Sequence, residues 1–550
     1  MPSYSRLRAP VKQRFPVRAS AGHRFENSPG NRSEGIRLSR IPVFAAVDIG
    51  SNSVRLKIAR LVRRRLHTLE EDREVTRLGE AVFRTGLVAP QAMAHTVRVL
   101  QRFHRATQEH GATEVRVVAT SALRDARNSQ AFHDWVHATT GWNVEVITGL
   151  EEARLIHLGI LSSLRLPKSP VLLVDLGGGS CELTVSVKGH IRETVSLPLG
   201  AVRLTREFLE HDPPKKSERE RLRKFIAKEV ARAAEGIAAS GVRLVIATSG
   251  TAAALVANRR AAGQRAAQER RVIVSRAATR KLAKKLARMP LAERLQQPGI
   301  GPRRAEIIVA GATVFAELLE RCQLPGFRYS PLGLRDGVLA EMAASRDRRT
   351  RSRLQIESDR SDALEQAGRL YQVDAAHAGQ VRSLAVKLFR ALASVHRLPA
   401  PYEDWLAAAA MLHEVGNFVN RAGRHRHAYY IIAHSEIFGY TPAERRLIAS
   451  IARYLGKSRP APGDRTLKAL PEEVRRNVPR AVLLLRLAAA LNQGRRNAVR
   501  GVRVRVKRSK VSLTILGKKR PGADLELWAL EKERGYFRAV LGRALEAKLS

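Results

Sequence analysis

The order of apolar and polar positions along the chain changes from strand spacing to helical spacing and back. After forty polar, basic residues, the apolar run Ile41–Asp48 predicts a buried strand, and Val54–Arg60 predicts its partner in a hairpin. Short apolar runs then alternate with amphipathic helices up to about residue 345, which is typical of an α/β fold. Beyond Ser361, Ala/Leu stripes predict helices. The last fifty residues return to alternation, with Val502–Lys507 and Val511–Ile515 as a strand pair.

These changes of pattern and composition divide the chain into segments. We predict a disordered basic extension (1–40), a first α/β lobe (41–168), a second α/β lobe (169–345), an Arg-rich linker (346–360), a helical domain (361–498) and a C-terminal α+β segment (499–550).

The opening of the second lobe repeats that of the first. Asp48–Ser51 and Asp175–Gly178 each follow an apolar strand with the sequence Asp-x-Gly and a small residue, and a second strand comes directly after. A third small-residue loop, Thr248–Thr251, follows the predicted strand 242–247 and precedes a helix. A repeat at this scale predicts two related lobes that face one another.

A strand that ends in Asp-x-Gly and a tight turn suits a phosphate site. The N–H groups of the turn point at an anion, and the glycine leaves room for phosphate oxygens. The carboxylate at the end of the strand can hold a hard cation that neutralises phosphate charge. One such loop is a common hairpin, but two in matching positions and a third glycine turn favour phosphate binding.

The composition is strongly basic, with 98 Lys+Arg against 51 Asp+Glu and a formal net charge of +47. Such an excess predicts a polyanionic partner, namely nucleic acid, an acidic membrane surface or a phosphate polymer, although Arg at many surface positions is a simpler cause. The two cysteines, Cys181 and Cys322, cannot build a disulfide framework, and we expect a reducing cytoplasm. No uncharged apolar run is long enough for a membrane span, and residues 1–40 lack the apolar core of a secretory signal.

Several motifs carry a family resemblance. The paired loops resemble the phosphate loops of the actin, hexokinase and heat-shock chaperone superfamily, and Ser249–Thr251 stands where that superfamily has its adenosine loop. More narrowly, the chain resembles the exopolyphosphatase and guanosine pentaphosphate phosphatase family, in its long form. The stretches that carry this resemblance are Ala46–Ser53, Val118–Asn128, Thr148–Arg154 and Val174–Glu182, followed by Leu199–Arg203 and Leu334–Gly337.

The resemblance implies a fold and a reaction. The fold is α/β, with two actin-like (ribonuclease H-like) lobes and an active-site cleft between them, then an all-helical HD-like domain and a small C-terminal α+β segment. The reaction is hydrolysis of a terminal phosphoanhydride with Mg²⁺. By similarity Glu152 is the catalytic base, with Glu151 as the alternative, while Asp175 and Glu182 bind metal and Asp48 adds a water-mediated contact. Apart from the resemblance, two acids at a helix start are also explained by the helix dipole.

The same resemblance assigns the donors that hold phosphate. Arg124 is a candidate clamp, because a guanidinium grips two phosphate oxygens at once, although a salt bridge between domains explains it nearly as well. The full predicted set is Gly50, Ser51, Asn52, Ser53, Arg124, Gly177, Gly178, Gly179, Ser180, Ser249, Gly250 and Thr251.

The helical half resembles an HD-type fold, with Glu414 after His413 where that fold has Asp. The stretch Arg453–Lys457 lacks the histidine that the family usually carries after Tyr, which argues against a second metal site. We expect this domain to serve polymer binding, with Arg424, His425, Arg426 and His427 as candidates for facing an anion.

The sequence thus predicts an exopolyphosphatase that releases orthophosphate from inorganic polyphosphate. The alternative is a guanosine pentaphosphate (pppGpp) 5′-phosphatase on the same scaffold, since both substrates end in the same anhydride. A second alternative is an inactive polyanion-binding protein, and a sugar kinase is disfavoured by the stretches 118–128 and 148–154. The resemblance also implies a homodimer, and the excess of Lys and Arg allows nonspecific nucleic-acid binding.

Overall fold

The computed structural model of the protein describes residues 41–261, 273–346, 351–456, 458–517 and 522–550. The predicted basic extension, residues 1–40, lies outside the described residues. Within the described ranges no helix combines the length and the apolar character that crossing a bilayer requires.

The first lobe is built on a five-stranded sheet with the strand order β3-β2-β1-β4-β5. Its strands are β1 (Val43–Ile49), β2 (Ser53–Val62), β3 (Arg65–Val75), β4 (Glu114–Ala119) and β5 (Val144–Val146). Its helices are α1 (Gly79–Thr85), α2 (Pro90–Glu109), α3 (Ser121–Asp125) and α4 (Ser129–Thr140). Strand β1 is antiparallel to β2 and parallel to β4, so the hairpin and the crossover predicted from the apolar pattern are both present.

The second lobe has a six-stranded sheet with the order β10-β11-β9-β6-β7-β8. The chain enters it through helix α5 (Gly149–Ser163). Its strands are β6 (Val171–Leu176), β7 (Cys181–Val187), β8 (His190–Leu197), β9 (Leu244–Thr248), β10 (Ile273–Ser275) and β11 (Gly326–Tyr329). Its helices are α6 (Ala201–Phe208), α7 (Lys216–Ala239), α8 (Ser249–Ala261), α9 (Arg276–Leu286), α10 (Leu291–Leu295), α11 (Ile308–Arg321) and α12 (Leu334–Arg346).

The two sheets share one design, as the sequence repeat predicts. In each, the first strand forms a hairpin with the second and runs parallel to a later strand, β4 in one lobe and β9 in the other. The register of the two hairpins determines which charged side chains stand opposite one another at the cleft. Asp48 stands opposite Arg55, whereas Asp175 stands opposite Glu182, so one hairpin places a cation across from its acid and the other brings two acids together.

Helices α5 and α12 cross closely because both carry glycine at the crossing. A Cβ atom on Gly337 would lie 1.8 Å from the Leu155 carbonyl oxygen, and one on Gly159 would lie 2.5 Å from that of Gly333. This contact fixes helix α5, whose side chains from Glu152 to Leu161 are buried.

The C-terminal half is helical and ends in a small sheet, as predicted. Its helices are α13 (Arg351–Leu370), α14 (Ala375–Ala391), α15 (Ala393–His396), α16 (Tyr402–Leu412), a 3₁₀ turn (Val415–Phe418), α17 (Arg424–His434), α18 (Pro442–Arg453), α19 (Arg465–Lys468) and α20 (Glu472–Ala490). The closing segment contains β12 (Val499–Val506), β13 (Lys510–Gly517), α21 (Asp524–Glu531), α22 (Arg534–Leu541) and β14 (Ala544–Leu549).

The stretch 346–360, predicted as a linker, differs from that expectation. Helix α13 begins at Arg351, and Ile356 and Asp359 on it are buried. The polar, Arg-rich composition predicted a linker, but Ile356 packs with Leu158 of α5 and with Ala340 and Ala344 of α12. The domain boundaries drawn from the sequence otherwise stay predictions.

Candidate active site

A cavity of about 540 Å³ lies where the strand ends of the two lobes meet. The loops after β1 and β6, the first turn of α5 and the start of α8 all contribute to it. Of the residues predicted for the site, those that line the cavity are Asp48, Gly50, Ser51, Asn52, Ser53, Glu152, Asp175, Gly177, Gly178, Gly179, Ser180, Ser249 and Gly250.

The two glycine loops have the same backbone hydrogen bond. The Gly50 N–H donates to the Ser53 carbonyl over 3.2 Å, and the Gly177 N–H donates to the Ser180 carbonyl over 3.0 Å. The loops touch, because a Cβ atom on Gly178 would come within 2.9 Å of the Ser51 Cβ. Asn52 Nδ2 is buried without a hydrogen-bond partner in the described structure, so this donor is free for an anion.

Three carboxylates meet at the cavity, which Glu152 and Asp175 line and Glu182 adjoins. Asp175 and Glu182 face each other across the β6–β7 hairpin, an arrangement of like charges that destabilises a sheet. Oxygens of Glu152, Asp175 and Glu182 lie within 4.8 Å of one another. Ser196 Oγ donates to Glu182 Oε1 over 2.7 Å, but Glu182 Oε2 and Glu152 Oε2 are buried with no hydrogen-bond partner among the described residues.

Burial and mutual repulsion disfavour the charged forms of these acids. Burial, followed by the charge of Asp175, raises the pKa of Glu182 to about 7. Burial also raises the pKa of Glu152 well above its usual range, and Glu182 adds to the shift. The pKa values of Asp48 and Asp175 are raised by burial as well. A cluster of this kind is stable in its charged form only with a counter-charge.

The carboxylates fit a hard divalent cation. Carboxylate oxygens are the ligands that Mg²⁺ prefers, and it usually binds one or two of them together with phosphate oxygens and water. Asp175 and Glu182 offer such oxygens side by side, and Asp48 lines the same cavity. The orphaned oxygens on Glu182 and Glu152 are the atoms that a cation would satisfy.

The side chains of the two adjacent glutamates at the start of α5 point in different directions. Thr148 caps the helix by accepting the Glu151 N–H over 3.2 Å. Glu151 turns away from the cavity and accepts two bonds from Arg154, whose Nη2 also donates to Glu341 over 2.6 Å. Glu152 therefore faces the other acids and Glu151 does not.

Arg124 lies beside the proposed base rather than on the cavity wall. Its Nη1 is 3.7 Å from Glu152 Oε2 and donates to the Ile147 carbonyl over 2.7 Å. This arrangement positions a positive charge next to Glu152.

Sequence reasoning missed a cluster of arginines in the same cavity. The cavity is also lined by Arg55, Arg73, Arg303, Arg304 and Arg335. Arg73 Nε and Nη2 are buried with no hydrogen-bond partner in the described structure. Among the described residues no carboxylate lies within ion-pair distance of Arg55, Arg73, Arg303 or Arg304. We name these five residues the arginine wall.

The arginine wall is electrostatically strained. Burial, together with the charges of Arg55, Arg303 and Arg335, lowers the pKa of Arg73 to about 10. Burial and the charge of Arg73 lower the pKa of Arg304 to about 9. Gly250 makes room for this wall, since a Cβ atom there would lie 1.8 Å from Arg304 Nη2. Five guanidiniums line one cavity, and four of them have no ion-pair partner among the described residues, so the cavity suits a highly charged anion.

The remaining predicted residues lie elsewhere. Thr251 is buried and packs on Gly311, because helix α8 already begins at Ser249 and turns Thr251 toward the core. Its position does not support the predicted contact with phosphate. Arg424, His425, Arg426 and His427 open helix α17 in the helical region and do not line this cavity, so their part in polymer binding stays a prediction.

Comparisons with known proteins match both halves of the chain. A model described as the Ppx/GppA phosphatase family matches residues 57–346, which is more than half of the chain, and one described as domain III of Ppx/GppA phosphatase matches residues 360–534.

Solved structures agree with these matches. An exopolyphosphatase from Cytophaga hutchinsonii is 27% identical over 55% of this chain and 98% of its own, with a TM-score of 0.52. An exopolyphosphatase-like protein is 30% identical over 55% of this chain and 97% of its own, with a TM-score of 0.52. A family member from Aquifex aeolicus is 31% identical over 56% of this chain and 99% of its own, with a TM-score of 0.48. The chain belongs to the Ppx/GppA phosphatase family, and the domain III match shows that it is of the long form.

Proposed function

We propose that the protein is a Mg²⁺-dependent exopolyphosphatase, which hydrolyses the terminal phosphoanhydride bond of inorganic polyphosphate. The observation that carries this proposal is the composition of the cavity, which brings a carboxylate cluster and the arginine wall together. The carboxylates suit a cation and a water nucleophile, and the arginines suit the following phosphates of a chain.

Each group has a role in this reaction. A water oxygen attacks the terminal phosphorus, and the bond from that phosphorus to the bridging oxygen breaks. Orthophosphate is released, and the remaining chain is shorter by one phosphate. Glu152 orients that water and accepts its proton, while the N–H groups of the two glycine loops hold the terminal phosphate oxygens. Asp175 and Glu182, with Asp48 through water, would hold Mg²⁺, which supplies neutralisation of the phosphate charge. Positioning and charge neutralisation account for most of the acceleration expected for such a transfer.

The lining of the cavity favours polyphosphate over pppGpp. Five arginines offer charge to many phosphates, whereas Tyr329 is the one aromatic side chain on the described cavity wall. A guanine base would need apolar or aromatic surface to stack on, while a bare phosphate chain needs only cations. Hydrolysis of pppGpp is the runner-up, because its 5′ end carries the same anhydride.

The test compares both substrates on the full-length protein. Orthophosphate release should be measured with Mg²⁺ and with excess EDTA, from long-chain polyphosphate and from pppGpp. We expect a higher kcat/KM for polyphosphate and no release in EDTA. A higher kcat/KM for pppGpp would establish the runner-up, and release from neither substrate would favour the polyanion-binding alternative. The predicted homodimer, the nonspecific nucleic-acid binding and the cytoplasmic location stay predictions.

A further inference from the structure

Helix α9 and the turn after it carry an excess of positive charge on the surface of the second lobe. From Arg276 to Arg288 the chain contains six cations and no acid. Five of these six side chains are exposed: Arg280, Lys281, Lys284, Lys285 and Arg288.

The helical spacing places four of these cations on one face. Lys281, Lys284, Lys285 and Arg288 follow each other at intervals of three, one and three residues, so they line up along a single stripe. They border a groove of about 480 Å³ together with Met289 and Glu293. We name this feature the α9 groove.

The cations of the α9 groove have no carboxylate partner among the described residues. Within the described residues, the one side-chain hydrogen bond of these cations joins Lys285 Nζ to Gln297 Oε1 over 3.3 Å. Like charges four residues apart destabilise a helix. The helix dipole offsets this for Lys284 and Lys285 in the last turn, but not for Lys281, which lies more than one turn earlier.

A short segment joins the α9 groove to the active-site cavity. Gln297 contacts Lys285 at one end, and Arg303 and Arg304 line the cavity at the other. Between them the Pro298 carbonyl accepts a hydrogen bond from Asn258 on α8, whose first turn also lines the cavity. The seven steps along the chain from Gln297 to Arg304 span at most about 25 Å. A linear polyanion that leaves the cavity past the arginine wall therefore reaches the groove after a short path.

The groove suits a phosphate chain better than a nucleic acid. None of its lining residues is aromatic, and single-stranded nucleic acids gain much of their affinity from bases stacked on aromatic rings. Lysine is a point charge that needs no particular orientation of a phosphate group. We propose that the α9 groove is a second binding site that holds the distal part of a long polyphosphate chain whose end lies in the active site. This inference rests on the proposed exopolyphosphatase activity.

The test removes four charges and varies chain length. The full-length variant Lys281→Gln, Lys284→Gln, Lys285→Gln, Arg288→Gln is compared with a control that loses four exposed arginines of the first lobe, Arg60→Gln, Arg84→Gln, Arg98→Gln, Arg105→Gln. The measured quantity is the KM for tripolyphosphate divided by the KM for long-chain polyphosphate. We expect the groove variant to lower this ratio at least tenfold and the control to lower it less than threefold. An unchanged ratio in the groove variant would overturn the proposal.

A binding measurement separates this proposal from the proposed activity. Labelled long-chain polyphosphate is titrated into Glu152→Gln, with and without the groove substitutions, at several salt concentrations. We expect the four substitutions to weaken binding at least tenfold and to reduce the slope of log K against log salt by about 3. If the wild type releases no orthophosphate but the four substitutions still weaken polyphosphate binding, the proposed activity is wrong and the proposed binding site in the α9 groove is supported. If the substitutions abolish binding of RNA and leave polyphosphate binding unchanged, the groove is a nucleic-acid site and the proposal is wrong.

Discussion

Replacement of Arg304 by methionine should stabilise the ligand-free protein and weaken its anion site. The Arg304 side chain is 7% exposed, and burial together with Arg73 and Arg55 lowers its pKa from 12.5 to about 9. At about 1.4 kcal/mol per pKa unit, keeping this side chain charged costs the folded state up to about 5 kcal/mol at pH 7. Methionine keeps the packing of the aliphatic stem, so we expect a net gain of about 2 kcal/mol or more in the free energy of unfolding.

Urea unfolding at pH 7 measures this gain, because urea leaves electrostatic repulsion unscreened. The matched control is Arg328→Met on strand β11, where the side chain is exposed and a change of less than about 0.5 kcal/mol is expected. Tripolyphosphate should raise the unfolding midpoint of the wild type more than that of Arg304→Met. A ligand-free Arg304→Met protein that is less stable than the wild type would refute the reasoning, since it would show that Arg304 is neutralised inside the folded protein.

Three other substitutions test charge and packing in the same unfolding assay. Burial raises the pKa of Asp359 to about 6, so its charge destabilises the fold increasingly as the pH rises from 4 to 6. Asp359→Asn should raise the free energy of unfolding by up to about 3 kcal/mol above pH 7 and leave it unchanged below pH 4. An equal effect at the two pH values would contradict this. Glu341→Gln removes the carboxylate between Arg154 and Arg116 and should lower the free energy of unfolding by about 3–5 kcal/mol. The control Glu357→Gln, at an exposed position, should not cause this loss. Gly337→Ala should cost about 1–3 kcal/mol, because its methyl group meets the Leu155 carbonyl; no loss would refute the close helix crossing.

Much of the fold was predictable because local patterns decide it. The predicted hairpin of Ile41–Asp48 and Val54–Arg60 is formed by β1 and β2, and the strand pair predicted near the C-terminus is formed by β12 and β13. Strand β14 was missed, since Ala544–Leu549 consists of residue types that favour a helix and gains its place by parallel pairing with β13. The loop predicted at Thr248–Thr251 is the end of β9 and the first turn of α8, because the backbone enters the helix directly after the strand, with Ser249 at φ +74°.

The carboxylates and glycine loops of the site were predictable from the sequence, but the arginine wall was not. The carboxylates and glycine loops come from short motifs in which sequence neighbours become spatial neighbours, as Asp175 and Glu182 do across their hairpin. The arginine wall joins residues from β2, β3, the segment before α11 and the start of α12, and no motif connects these positions. Arg55 alone had a signal, because it follows Asp48 at the spacing at which Glu182 follows Asp175.

The most direct test of the central claim is the rate of orthophosphate release by two single variants, Glu152→Gln and Glu151→Gln. Glu152 faces the carboxylate cluster, whereas Glu151 is held by Arg154 away from the cavity. With Mg²⁺ and saturating polyphosphate, kcat should fall by about 10²–10⁴-fold in Glu152→Gln and by less than about tenfold in Glu151→Gln, while both variants still bind polyphosphate. Full activity in Glu152→Gln together with its loss in Glu151→Gln would contradict the account.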